Sequence, residues 1–479
     1  MNKAIGRVFL VGVALFVAVI LNLTWLQVIR ADHLAQRPEN KRQLAKELRI
    51  KRGAILGFNG SVIARSVRRS GFYQRRYPQG TLAPQLVGYD SVRYGRSGIE
   101  AQMNDELLGR ATELGVQSWV DELLGRRPTG ADVVTTLVPG VQRVAQQALA
   151  GKKGAIVVLD PATGALIASA SAPGYEARKL EDQWATLSKE VGAPLLDRPL
   201  QGLYAPGSSF KVVTATAGLE SGVVTPDTSF VDTGTYVVYG GKVTNYDGAV
   251  YGPHDFETAL TQSINTTFAK VGVKLGRRRL IEAMRRFGFW QVPPLALPSG
   301  AVVASGRYDD TELLSPEAEM DPLAVAWAAD GQEQVLATPL QMALVVAAVA
   351  NGGSVMRPYV VQEVRAPDGR VVEEAAPAEW LTAMKPATAL SLNAMMQRVV
   401  TSGTGTAAAI EGVKVAGKTG TAERGDGTNL AWFIGFAPAD DPRVVVAVVI
   451  EDTLSTGGGE AAPLAADVLR AALAQAALP

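Results

Sequence analysis

Strand-like patterns at both ends of a long C-terminal stretch, with helix-like patterns between them, set the main constraint on how this chain folds. Residues 155–159 and 166–170 are apolar runs around Asp160-Pro161-Ala162-Thr163-Gly164, which has Pro and Gly in turn-compatible places, so they read as a strand pair. Helical patterns dominate 208–350, and strand patterns return at 414–421, 431–437 and 444–451. One sheet covered by helices, joined to a largely helical lobe, accommodates that order. A cleft between the sheet edge and the lobe is then the place for chemistry.

The preceding region is different. Residues 51–66 alternate around Asn59-Gly60, a hairpin signal, and Ser97-Gly98-Ile99-Glu100 opens a helix-like run to Leu108. Arg126-Arg127-Pro128-Thr129-Gly130 reads as a turn, and 37–52 as a charged, solvated helical segment. Up to about Leu149 no nucleophile or ligand cluster stands out, so this is a pedestal or interaction domain. Residues 8–29 are mostly apolar, follow Lys3 and Arg7, and are long enough to span a bilayer. The rival reading is a cleaved signal peptide, but no small-x-small site follows, so an uncleaved single-pass anchor is expected. Arg30, Arg37, Lys41 and Arg42 make the far side basic too, so charge does not orient it. The expected fold class is α+β and multidomain: a cytoplasmic tail and anchor at 1–30, a juxtamembrane segment and small mixed pedestal at 31–150, and a catalytic domain at 151–479.

Composition narrows the chemistry. Lys+Arg 47 against Asp+Glu 46 leaves a net charge of +1, which gives no reason to expect a nucleic-acid partner. The chain has no cysteine and only His33 and His254, so a Ser-His-Asp triad, a Cys-His pair or a multi-ligand zinc site is hard to assemble. No metal or cofactor motif is read. Three strings remain: Ser208-Ser209-Phe210-Lys211, Ser263-Ile264-Asn265 and Lys418-Thr419-Gly420.

Ser208 follows Tyr204-Ala205-Pro206-Gly207 and opens an apolar run, 212–219, that closes at Gly222 like a helix end. Residues three apart share a helix face, which brings the Lys211 amine toward the Ser208 hydroxyl, and the helix amides point where negative charge would develop. A lysine of ordinary pKa, about 10.4, is neutral in only roughly one molecule in 2,500 at pH 7. To serve as the base, Lys211 has to be depressed by burial and by a nearby cation such as Lys418. Ser-x-Asn occurs twice. Ser391-Leu392-Asn393 lies within an unbroken helical pattern where positions two apart diverge, whereas Ser263-Ile264-Asn265 falls between helical stretches at 256–262 and 266–275. The second location can aim both side chains into one cleft.

Two readings of the third string stay open. Gly412 to Thr419 satisfies the phosphate-loop pattern, which would make the chain a P-loop nucleotide-binding protein. That motif needs a helix after the lysine, yet Gly420, Gly425 and Gly427 follow; the alternative puts 413–421 in a strand beside 431–437.

The three strings in this order resemble the penicillin-recognising serine enzymes. The resemblance extends to Arg52-Gly53-Ala54-Ile55, Ser97-Gly98-Ile99-Glu100, Thr338-Pro339-Leu340-Gln341-Met342-Ala343 and Ala350-Asn351-Gly352-Gly353, and is closest to the shorter actinobacterial members of the class B penicillin-binding proteins. The family is one of single-pass peptidoglycan D,D-transpeptidases that bind β-lactams, with an antiparallel sheet flanked by helices and a helical lobe. The resemblance implies that Ser208 attacks the penultimate D-alanine of a pentapeptide stem, Lys211 takes and returns the proton, Ser263 relays it, and Asn265 holds the peptide. It also implies that Lys418 supplies positive potential, Thr419, Gly420 and Thr421 bind substrate, and the N–H groups of Ser208 and Thr421 hold the oxyanion. An acceptor stem amine completes the cross-link, with the catalytic domain outside the membrane and a membrane glycan polymerase as partner. A D,D-carboxypeptidase on the same fold is the competing activity. Two departures stand out: Glu333 in Gly331-Gln332-Glu333, where Gly is frequent, and Asp197 before Arg198, where Asn is frequent.

Overall fold

The strand patterns at the two ends of the larger domain meet in one five-stranded antiparallel sheet. In the computed structural model, which describes residues 2–25, 46–111 and 129–479, its strands are β1 (Gly154–Leu159), β2 (Leu166–Ala172), β3 (Ala416–Glu423), β4 (Asn429–Ala437) and β5 (Val444–Thr453), in the order β3-β4-β5-β1-β2. Lys418 pairs with Ile434 and Thr421 with Ala431, so β3 is an edge strand facing the lobe's side of the molecule. Expected from 414, β3 starts at Ala416, because Val413 bridges back to Ile410.

All of β1 is buried, which explains why it reads as a continuous apolar run rather than an alternation. Ile156 and Val158 pack with helices Pro139–Ala148 and Ala462–Leu473 through Val141, Ala145, Val468 and Leu469. Ala155 and Val157 face the other way, into a core that includes Leu344 and Val345 of helix Pro339–Ala350, whose one polar side chain is Gln341. Helix Pro139–Ala148 precedes residue 151, yet it packs on the catalytic sheet. The lobe contains helices α1 (Lys211–Glu220), α2 (Phe256–Thr261), α3 (Asn265–Arg286) and α4 (Pro322–Ala329), with small hairpins such as Thr235–Val238 against Gly241–Thr244.

The pedestal is built on a six-stranded sheet running Val371–Glu374, Val361–Arg365, Asp132–Thr135, Ile55–Leu56, Val62–Arg69 and Phe72–Arg76. Its first two strands come from the far side of the chain. Asn59-Gly60 makes the hairpin turn, Gly60 with φ +76°. Buried Glu100 receives Arg52 Nε at 2.9 Å and Arg75 Nε at 2.5 Å, and Asp90 stands 3.9 Å from Arg52 Nε, so the desolvated guanidiniums lie against carboxylates. Asn2–Thr24 forms the one helix among the described residues that is long and apolar enough to cross a membrane. Most of the charged segment at 37–52 and of the turn at 126–130 lies outside the described residues.

Candidate active site

Ser208 sits on a single turn of 3₁₀ helix, Gly207–Phe210, that runs directly into α1. Three contacts hold this turn against the sheet and lobe: Trp432 Nε1 donates to Ala205 O at 3.0 Å, Ser209 Oγ to Pro206 O at 2.7 Å, and Gly207 N to Gly331 O at 2.9 Å. Gly207 has φ +50°, a left-handed conformation that glycine adopts without the penalty of a Cβ. Gly420 serves the same junction through close approach: a Cβ there would lie 2.7 Å from Pro206 O and 2.9 Å from Ser209 N. Its role is to let β3 pass beneath the nucleophile turn, while Thr419 and Thr421 on either side of it line the cleft.

That cleft is an open cavity of about 750 Å³ whose walls include Ser208, Ser263, Asn265, Asp330, Thr419 and Thr421. Ser263 occupies the connection between α2 and α3 with φ +61°, uncommon for a residue other than glycine. This turn aims both members of the second string at the lysines. Lys211 Nζ donates to Asn265 Oδ1 at 2.6 Å and Ser263 O at 2.9 Å, stands 3.4 Å from Ser263 Oγ, and has the Phe268 ring beneath it at 5.3 Å. Lys418 Nζ donates to Ser263 Oγ at 2.8 Å and to Thr419 O at 3.0 Å. Asn265 Nδ2 donates to Thr244 O at 2.9 Å, which fixes which end of its amide faces Lys211. The Ser208 hydroxyl has no hydrogen bond among the described residues, and so projects free into the cleft.

Both lysines are fully buried. Burial pushes Lys211 below the ordinary lysine range against the upward pull of Asp330, and pushes Lys418 well below it, assisted by the Lys211 charge. The two groups share Ser263 Oγ, so the site favours at most one ammonium at a time. Thr404 Oγ1 lies 2.5 Å from Thr419 Oγ1, and Gly457 N donates to Thr421 Oγ1 at 3.1 Å, which orients the two hydroxyls.

The second Ser-x-Asn copy lies within helix Pro386–Ser402, with Ser391 Oγ bonded to Ala387 O and Asn393 Nδ2 to Ala439 O. It takes no part in the cleft. The P-loop reading fails at its structural requirement, because Lys418 is inside a strand that runs on to Glu423 and the next element is strand β4, not a helix.

Sequence reasoning missed Asp330. The residue ends α4 at 5% exposure, with Oδ1 3.2 Å from Lys211 Nζ. Burial pushes its carboxyl up to about 6, although the charges of Lys211 and Lys418 pull the other way. The available signal was a lone acid closing the otherwise apolar run 322–329.

A sheet flanked by helices, a helical lobe and a cleft lined by Ser208, with two buried lysines meeting on Ser263 beside it, are the features of a penicillin-recognising serine acyltransferase. The family model for the penicillin-binding protein transpeptidase domain matches residues 154–470, and that for the penicillin-binding protein A dimerisation domain matches 52–133. The chain therefore belongs to the penicillin-binding protein transpeptidase family. In alignments of 503 and 504 positions, gaps included, each covering 99% of both chains, it is 35% identical to peptidoglycan D,D-transpeptidase PbpA of Mycolicibacterium smegmatis and 34% identical to that of Mycobacterium tuberculosis. Among solved structures it is similar to penicillin-binding protein A of M. tuberculosis as a ceftriaxone acyl-enzyme, with 32% identity, a TM-score of 0.82, and 90% of this chain and 100% of that one covered. A transpeptidase domain from Eggerthella lenta gives 40% identity and a TM-score of 0.79 over 89% of this chain and 98% of that one.

Proposed function

We infer that this chain is a peptidoglycan D,D-transpeptidase that acts through a serine acyl-enzyme and is acylated by β-lactams. The observation that carries the reading is the convergence of Lys211 and Lys418 on Ser263 in a cleft that also exposes the Ser208 hydroxyl. Ser208 Oγ attacks the carbonyl of the penultimate D-alanine of a stem pentapeptide and releases the terminal D-alanine. Lys211, as its neutral amine, takes the hydroxyl proton, and Ser263, hydrogen-bonded to Lys418, passes a proton to the leaving amine. Asn265 holds the peptide, and Thr419 and Thr421 bind its carboxylate. The N–H groups of Ser208 and Thr421 stabilise the oxyanion, an interaction typically worth about 2.7–4 kcal/mol per donor. An acceptor stem amine then attacks the acyl-enzyme. Hydrolysis instead of aminolysis would make the enzyme a D,D-carboxypeptidase.

The likeness to PbpA over nearly the whole chain and the apolar helix Asn2–Thr24 support a single-pass membrane protein with residues 1–30 as tail and anchor and the catalytic domain outside the membrane. The pedestal spans 31–150 and the catalytic domain 151–479, with helix Pro139–Ala148 packing on the latter. The pedestal or anchor is the contact for a membrane glycan polymerase, and loss of that co-purification on deleting either segment tests it.

The central test is acylation by labelled penicillin followed by product analysis on a D-Ala-D-Ala pentapeptide, with and without an amine acceptor. One label per chain, lost in Ser208→Ala, together with cross-linked product is the expected result. Labelling that survives the substitution moves the nucleophile elsewhere, and hydrolysed product alone makes the enzyme a carboxypeptidase.

A further inference from the structure

Asp330 has a chemical role that a cap or a structural ion pair does not require. Its backbone is already secured: Asp330 N donates to Trp327 O at 3.0 Å, the preceding carbonyl of Ala329 accepts from Thr214 Oγ1 at 2.7 Å, and the following carbonyl of Gly331 accepts from Gly207 N at 2.9 Å. The segment is thus tied to the Lys211 helix on one side and to the nucleophile turn on the other. The carboxylate plays no part in that tethering. Neither of its oxygens, both buried, receives a well-directed hydrogen bond, and the charges facing it are Lys211, at 3.2 Å, and Lys418. It also ends a helix, where the backbone dipole disfavours negative charge. A permanent ion pair would hold Lys211 as an ammonium, the wrong form for a base.

We propose that Asp330 is the proton partner of Lys211, taking the ammonium proton across their contact so that the amine can take the proton of Ser208. This positioning residue acts through Lys211, and the proposal rests on the reading of Ser208 and Lys211 given above. In the first transfer an Nζ–H bond breaks and an Oδ–H bond forms. In the second the Ser208 Oγ–H bond breaks, an Nζ–H bond forms, and Oγ bonds to the substrate carbonyl carbon as the C=O π pair moves onto the carbonyl oxygen. When that pair returns the C–N bond breaks, Lys211 gives its proton through Ser263 to the leaving nitrogen, and Asp330 returns its own to Lys211, so the pair ends as it began. No co-reactant is consumed.

In this scheme the active form is the pair carrying one proton. The acylation rate therefore rises where the doubly protonated pair loses its first proton, at the carboxyl that burial lifts to about 6. In Asp330→Asn, Lys211 has to lose its proton to solvent unaided.

The test is the rate of acylation by fluorescent penicillin between about pH 5 and pH 10, on the full chain in detergent, for the wild type and Asp330→Asn. The acidic limb of the variant moves up by at least about one pH unit, with at least about a tenfold loss of rate at pH 6 that shrinks as pH rises. A carboxylate acting only as a counter-ion gives the opposite shift, because its removal makes Lys211 easier to deprotonate. A purely structural role lowers the rate across the range and leaves the limb in place. Either result overturns the proposal, as does a wild-type limb lying above about pH 8, which needs no variant. Asp330→Ser is read the same way if the asparagine variant does not fold. Absence of Ser208-dependent labelling in the wild type sinks the transpeptidase reading and the proposal together, whereas normal labelling with an unmoved limb sinks only the role of Asp330.

Discussion

Two buried amines on one serine hydroxyl put the site's charge under strain: Ser263 Oγ is 2.8 Å from Lys418 Nζ and 3.4 Å from Lys211 Nζ. Removing Lys211 therefore has two separable effects. Lys211→Ala is expected to slow penicillin acylation by about 10²–10⁴-fold, the usual contribution of a positioned base, as measured by stopped-flow labelling at neutral pH. It also removes a charge that lowers the Asp330 carboxyl, whose folded pKa already lies above its unfolded value. The stability contributed by a neutral Asp330 is fully present below about pH 4 and lost as pH rises through the folded value, so the variant loses melting temperature between about pH 5 and pH 8 more steeply than the wild type. Parallel melting curves would show that the two groups are not coupled. Asp197 offers an independent case. One of its buried oxygens has no partner, and burial pushes the carboxyl up to about 7. Its folded value again lies above the unfolded one, so the cost appears as pH rises from about 4 to 7 and has a ceiling of about 4 kcal/mol. Asp197→Asn, which restores the pairing frequent in the family, should raise the melting temperature at pH 8 and leave it nearly unchanged at pH 4. An equal gain at both values would assign the effect to something other than ionisation.

At the level of elements, the site depends on a strand sliding under a turn. Gly420→Ala places a methyl 2.7 Å from Pro206 O and 2.9 Å from Ser209 N, both backbone atoms, so the nucleophile turn has to move. A displacement on that scale is expected to cost about 1–3 kcal/mol of stability and to lower acylation at least tenfold, with the wild-type rate in a folded Gly420→Ala protein as the result against it. The same elements explain what was legible in the sequence. Ser208 and Lys211 lie one helical turn apart, Ser263 and Asn265 in one connection, and Lys418, Thr419 and Thr421 on one strand, so each string is local and carries its own secondary-structure signature. Gly420, Gly425 and Gly427 argued against a helix after Lys418, and the strand Ala416–Glu423 decides against the phosphate loop. Asp330 was not legible, because nothing near it in sequence says that the end of α4 meets Lys211 on another helix. The packing role of Gly420 was obscured for a similar reason, since nothing near it in sequence says that its missing side chain makes room for Pro206 and Ser209.

Across the whole molecule, pedestal and catalytic domain are joined by more than a linker. Thr136 N donates to Val360 O, Leu166 N to Tyr359 O and Val138 N to Ile167 O, at 2.9 Å each, so the chain crosses from the pedestal sheet to the catalytic sheet through a laced seam. Strands Val361–Arg365 and Val371–Glu374 then return to complete the pedestal sheet, a long-range pairing that no local pattern announces. One apolar core takes in Ile55, Ile63 and Val133 of the pedestal together with Ala155 and Val157 of the catalytic sheet. Shared core and shared strands make the two parts one cooperative unit. Glu100 is a suitable place to test this, since its removal leaves Arg75 buried without its carboxylate and Arg52 with only Asp90 at 3.9 Å, a loss of about 3–5 kcal/mol. Calorimetry of Glu100→Ala should show a single transition at lower temperature, with penicillin labelling lost over the same range. A separate early transition that leaves labelling intact would mean that the pedestal unfolds alone, and the seam would then be a contact rather than a shared core.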